Sequence, residues 1–173
     1  MSQTRNIRRG FTLAEVIAAT AIMAVLTTSS FALVRTANDA WRRHRDDSMQ
    51  RGEAIAALQH LVRRIRQAAQ VTAISGPADF SGTITLQMAD GTSAIWDHDG
   101  ATSRILYGTA APTGLLAEGI TQLSFVGLTA NGFATTTDVT KIHAVLCTVR
   151  FALNRPSGPV TETVTNVAWL RAW

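Results

Sequence analysis

The sequence has one cysteine, Cys147, so no intrachain disulfide can brace the chain. That residue sits in an alternating apolar run, where a lone thiol reads as a small buried hydrophobe. Proline is absent before Pro77, and Gly10 and Gly52 are the only glycines before Gly76. The N-terminal part can therefore run as continuous helix without a breaker. Chemistry-bearing motifs are missing as well. The sequence contains no Gly-Lys-Ser/Thr phosphate loop and no Gly-x-Ser-x-Gly nucleophile turn. His44, His60, His98 and His143 share no ligand spacing and read as surface or strand residues. Asp97-His98-Asp99-Gly100 faintly suggests a calcium loop, but residues 101–105 supply none of the further carboxylates such a loop needs. A hairpin turn is the better reading there. Repeats are absent too. These gaps argue against an enzyme, and no cofactor or metal site is expected.

Charge is scarce where scarcity matters most. From Phe11 to Val34, Glu15 is the only ionisable side chain in 24 residues. An apolar helix of about 20 residues spans a bilayer. A carboxylate inside such a span costs roughly 2.5–3.5 kcal/mol or more, so it marks a functional site and needs a partner. No Lys, Arg or His lies within the run, so the partner must come from elsewhere. The alternative is a carboxylate that snorkels to the nearby interface.

The remaining charge is distributed unevenly. Residues 1–9 hold Arg5, Arg8 and Arg9 and no acid. Residues 35–66 hold eight arginines against Asp39, Asp46, Asp47 and Glu53. Residues 67–173 hold five basic against seven acidic side chains. The basic character belongs to the N-terminal arm, and the folded part is slightly acidic, so no nucleic-acid partner is expected for it. Three arginines ahead of the span favour a cytoplasmic N-terminus, although Arg35, Arg42, Arg43 and Arg45 behind it blur the signal. A cleaved secretory signal would have a shorter apolar core of about 7–15 residues.

Past the apolar run, residues 35–50 are polar. Ile55, Leu58, Leu61, Val62, Ile65 and Ala69 then recur at three- and four-residue spacing. The pattern predicts one helix from Phe11 to about Ala73, with Gly52 as a possible bend. It is hydrophobic all round at first and amphipathic later, so only the later part packs on a domain. Thr27-Thr28-Ser29-Ser30 can bond back to the preceding turn. Ser75-Gly76-Pro77 ends the helix. Strands are predicted over residues 83–89, 92–96, 103–107, 120–126, 142–153 and 160–170. Asp90-Gly91 reads as a two-residue hairpin turn, residues 108–119 as a loop, and residues 154–159 as a turn. Within 142–153, the set His143, Val145, Cys147, Val149, Phe151 and Leu153 is the better core face. Trp41 suits a membrane interface; Trp169 and Trp173 suit either sheet core or a partner-facing patch.

Arg9-Gly10-Phe11-Thr12-Leu13-Ala14-Glu15-Val16 resembles the processing site of type IV pilins and type II secretion pseudopilins. The resemblance implies cleavage by a prepilin peptidase between Gly10 and Phe11, N-methylation of Phe11, and retention of Glu15. It implies that Glu15 meets the N-terminal amine of a neighbouring subunit, since two buried charges together cost less than either alone. Ala14 departs from the larger aliphatic residue usual there. The implied fold is α+β and pilin-like: a basic leader (1–10), a membrane-embedded assembly helix (11–34), its amphipathic continuation (35–74) and an antiparallel β-sheet periplasmic domain (75–173). The layout is most similar to J-type minor pseudopilins and W-type minor pilins. The carrying segments are residues 61–68, 83–107, 116–125 and 163–171. The absence of an early helix proline and of a disulfide pair disfavours a major subunit. The implied partners are other pilin or pseudopilin subunits, prepilin peptidase and an inner-membrane assembly platform. The implied location is the bacterial inner membrane. A minor pilin for adhesion, motility or DNA uptake is the alternative, and a singly anchored extracytoplasmic binding domain is the alternative of another class.

Overall fold

The computed structural model describes residues 12–155 and 158–171. Its contacts divide it into two compact units, with the boundary in sequence between His44 and Arg45. One α-helix, α1 (Leu13–Gln67), contributes to both.

Among the described residues of the first unit, the helix has no tertiary cover. Leu13, Val16, Ile17, Ile22, Met23, Val25, Leu26, Phe31, Leu33 and Val34 are all exposed. An 18-residue window of the helix reaches a mean hydropathy of 1.9 with none of it buried, so it is long and apolar enough to cross a membrane. Its threonine hydroxyls are satisfied within the helix itself. Thr20 donates to the Ile17 carbonyl, Thr27 to Met23 at 2.6 Å, Thr28 to Ala24 at 2.8 Å and Thr36 to Ala32 at 2.9 Å. Each bond supplies a partner that hydrocarbon could not.

Among its described residues, the second unit holds the rest of α1 and nine strands. Ala54, Ala57, Leu58, Leu61, Val62 and Ile65 are buried, a helical stripe that faces the sheets. Ile55, read from the sequence as part of that stripe, lies off it and is 36% exposed; the smaller Ala54 takes the buried position. The first sheet is an antiparallel meander of β1 (Ala68–Ile74), β2 (Thr83–Met88), β3 (Ser93–Asp99), β4 (Arg104–Gly108) and β5 (Gly114–Glu118), in that order. The second contains β6 (Ile120–Leu128), β7 (Thr135–Thr136), β8 (Ala144–Arg155) and β9 (Gly158–Trp169), ordered β7-β6-β8-β9. The α+β architecture is as expected, with two sheets where one was anticipated.

Several boundaries differ from the sequence reading. The helix ends at Gln67 rather than near Ala73, and residues 68–74 form β1. Alanine there favours helix, but Val71, Thr72 and Ile74 are β-branched, and pairing with β2 buries Ala68 and Val71. The Asp90-Gly91 turn is not a two-residue primed turn. Only Gly91 has positive φ, and Met88 N–H donates to the Thr92 carbonyl, so Ala89, Asp90 and Gly91 form a three-residue loop. β3 runs on through Asp97, His98 and Asp99, and the chain turns at residues 100–103 instead. β5 lies inside the expected loop of residues 108–119. It is short and glycine-led, with Ala117 its only buried residue, so it carries almost no periodicity of its own and forms by pairing with β4.

The face chosen for β8 is the core face from Val145 on, with Val145, Cys147, Val149, Phe151 and Leu153 all buried. At its start Ile142 and Ala144 are buried instead, and His143, placed on the core face by the alternation, precedes the strand and is half-buried. Burial pushes the Cys147 thiol up to about 12, which leaves it inert as a nucleophile. Two close approaches tie the sheets together. Gly82 N–H donates to the Leu123 carbonyl at 2.8 Å, and a Cβ on Gly82 would strike that same oxygen. His98, expected on the surface or as strand filler, is 3% exposed, and its Nε2 lies 2.8 Å from the Ile120 carbonyl oxygen. It joins β3 to the start of β6. At the β5–β6 corner Gly119 adopts φ +69, and Gln50 lies over it, its amide donating to the Glu118 carbonyl at 3.2 Å. The helix is further held by Arg51, whose guanidinium donates to both carboxylate oxygens of Glu162 on β9, at 2.7 Å for the shortest contact.

Candidate functional site

The site singled out by sequence is the start of the apolar helix. Arg5, Arg8, Arg9, Gly10 and Phe11 lie outside the described residues. Thr12 and Glu15 are inside them, and they form a reciprocal pair. Thr12 N–H donates to Glu15 Oε2 at 2.9 Å, and Thr12 Oγ1 reaches the same oxygen at 3.1 Å. Glu15 N–H donates back to Thr12 Oγ1 at 3.3 Å. Thr12 also accepts the first helical bond, from Val16 N–H to its carbonyl at 3.2 Å. This is a capping box: a Thr N-cap and a Glu three residues on, each satisfying an N–H that the first turn leaves without a partner.

The sequence reading treated Glu15 as an unpaired charge and missed Thr12. The signal was present, since Thr-x-x-Glu ahead of an apolar run is a helix-start signature. The consequence is twofold. The carboxylate lies where the helix macrodipole favours an anion. It is also oriented: Oε2 takes both hydrogen bonds, and among the described residues Oε1 takes none. A fixed carboxylate with one free oxygen can accept a charged donor without reorganising.

Residues elsewhere that looked like chemistry serve structure. Asp99 accepts from Ala101 N–H and Thr102 Oγ1, and the Thr102 hydroxyl in first place holds its carboxyl below the usual range. Asp99 therefore braces a turn. Asp138 caps the short 3-10 turn Val139–Lys141 through Thr140, and the hydroxyl of Thr140, then Lys141, hold its carboxyl down at about 2. His60 packs edge-on to Tyr107, ring centroids 4.9 Å apart, and lies 5.8 Å from Trp96. Burial, reinforced by Arg64 and Arg63, holds its pKa below the ordinary value. Trp169 is half exposed at the end of β9, its ring against Gly132, while Trp173 lies outside the described residues.

Residues 5–31 match the family model of the prokaryotic N-terminal methylation motif. No curated protein and no solved structure gives a match. The motif ends its basic stretch at the Thr12–Glu15 box and continues into the exposed apolar helix, and antiparallel sheets follow. That motif, with an α+β pilin-like architecture behind it, supports a type IV pilin or pseudopilin family for this chain.

Proposed function

We propose that this chain is a structural subunit of a type II secretion pseudopilus, most like the J-type minor pseudopilins. Prepilin peptidase cuts between Gly10 and Phe11 on the cytoplasmic side, where Arg5, Arg8 and Arg9 retain the leader. Phe11 is then N-methylated, and residues 11–34 hold the subunit in the inner membrane until an assembly platform draws it into the filament. The β-sheet domain lies in the periplasm. The observation that carries this reading is the methylation motif over residues 5–31, running directly into the capped head of an apolar helix.

Glu15 gives the reading its mechanism. Cleavage creates a positive amine on Phe11, and a neighbour's amine can approach the free Oε1 while Thr12 keeps Oε2 in place. Ion pairing in hydrocarbon is favourable only when both charges arrive together with hydrogen bonds intact. The pairing therefore sets the register between subunits.

The test is assembly with processing scored separately. Glu15→Ala should abolish filament incorporation while mass spectrometry still finds methylated Phe11 at the mature N-terminus. Normal incorporation of that variant would refute the pairing. Replacing Gly10 with a bulky residue should leave the leader attached; an unchanged mature N-terminus would refute the cleavage site.

A further inference from the structure

The last strand is an edge with almost none of the usual protection. β9 is the outermost strand of its sheet and pairs with β8 along all twelve residues without a register shift. Edge strands present rows of unpaired N–H and C=O groups, and soluble proteins blunt them with lysines, bulges, prolines or brevity. β9 has no bulge and no lysine, and its one proline, Pro159, stands next to its start. Its only charged side chain, Glu162, is turned to Arg51. From Val160 to Trp169 it alternates threonines and β-branched or apolar residues, a composition that pairs well.

A second observation lies beside that edge. A groove of about 520 Å³ is lined by Gln59, Arg63, Arg66 and Gln67 of α1, by Asn166 of β9 and by Arg171 just beyond it. Elsewhere in this unit Arg51, Arg104 and Arg155 each have a carboxylate partner. Among the described residues, Arg63, Arg66 and Arg171 take part in no ion pair. Three guanidiniums and three amide side chains beside an open strand favour carboxylates held bidentately.

We propose that the β9 edge and this groove together receive an extended, acidic segment of a partner protein, added to the second sheet as a fifth strand. The backbone ladder selects extended chain, and the arginines select acidic side chains at the positions beside Asn166 and Arg171. A second copy of β9 fits poorly, because its one carboxylate is already held by Arg51. The inference stands whether or not Glu15 governs assembly.

The experiment uses the full mature chain in detergent micelles. The probes are fluorescent peptides about ten residues long, matched to an edge strand. One alternates Glu with Val and Thr, one replaces each Glu with Lys, and one carries a central Pro in the acidic sequence. The acidic peptide should bind at least about tenfold more tightly than either control. Its binding should weaken with salt and protect amides in residues 160–169 from hydrogen exchange. The combined Arg63→Glu, Arg66→Glu and Arg171→Glu variant should reverse the charge preference. If that variant misfolds, Arg171→Glu alone, beyond the last strand, should weaken binding severalfold. Equal binding of the acidic and lysine peptides would overturn the proposal. So would acidic binding without protection of β9, or displacement by inorganic phosphate together with indifference to the central proline, since either would mark a plain anion trap.

Discussion

Two stretches of one helix differ in what surrounds them. Residues 13–44 bury nothing, and their apolar side chains face outward on every side. Residues 45–67 bury a stripe of six residues against two sheets, and their charged side chains stay outside. The backbone is the same and the helix is unbroken, so secondary structure does not distinguish them. What distinguishes them is the medium each is suited to. The first has its threonine hydroxyls bonded back to its own carbonyls and the carboxylate at its head, Glu15, tied to Thr12. The second carries arginines that reach strands, as Arg51 reaches Glu162. One stretch is prepared for lipid or for other helices, the other for a fixed partner in its own chain.

The comparison can be broken most directly by truncating one leucine in each stretch. Leu61→Ala, at a fully buried position, should destabilise the folded domain by about 2–5 kcal/mol in denaturant titration. Leu26→Ala, in the exposed stretch, should leave the domain's midpoint unchanged; a comparable loss there would show that the first stretch has a tertiary partner after all. A smaller effect is expected where helix and sheet corner meet. Gly119→Ala must place a Cβ at φ +69 beneath Gln50, which should cost about 1–2 kcal/mol, read as a lower melting temperature.

The smallest effect is a pH dependence confined to the second stretch. His60 has a folded pKa below its unfolded value of about 6.5, so the unfolded chain binds more protons between the two. Its contribution to stability is complete above about 6.5 and is lost as pH falls through 6.5 towards the folded value, levelling off below it. Thermal melts of His60→Phe should show a flatter profile across that window than the parent. An identical profile would place the titration elsewhere.

Legibility followed the length over which a pattern could repeat. The apolar run and the β8 alternation are long, so their period could be read without neighbours. Thr12 is legible as a capping partner from the Thr-x-x-Glu spacing, whereas the charge of Glu15 in an apolar run points only to a partner outside the helix. β1 and β5 could not be read reliably. The first is alanine-rich and sits directly after a helix, and the second is five residues with one buried side chain. Both exist because a neighbouring strand supplies half of their hydrogen bonds. The arginine groove was equally hidden, because Arg63 and Arg66 read in sequence only as part of a basic arm, and Arg171 lies at the far end of the slightly acidic sheet domain.

The sequence by itself determined the apolar span, the basic stretch before it and the lone glutamate at its head, because these depend on composition and on contacts within one helical turn. The tertiary structure alone decided where the helix stops, which of Ala54 and Ile55 faces the core, and that the sheet is split in two. It alone left β9 at the sheet edge beside three arginines that, among the described residues, take part in no ion pair. Those outcomes depend on pairing and burial between residues far apart in the chain, and no local pattern encodes them.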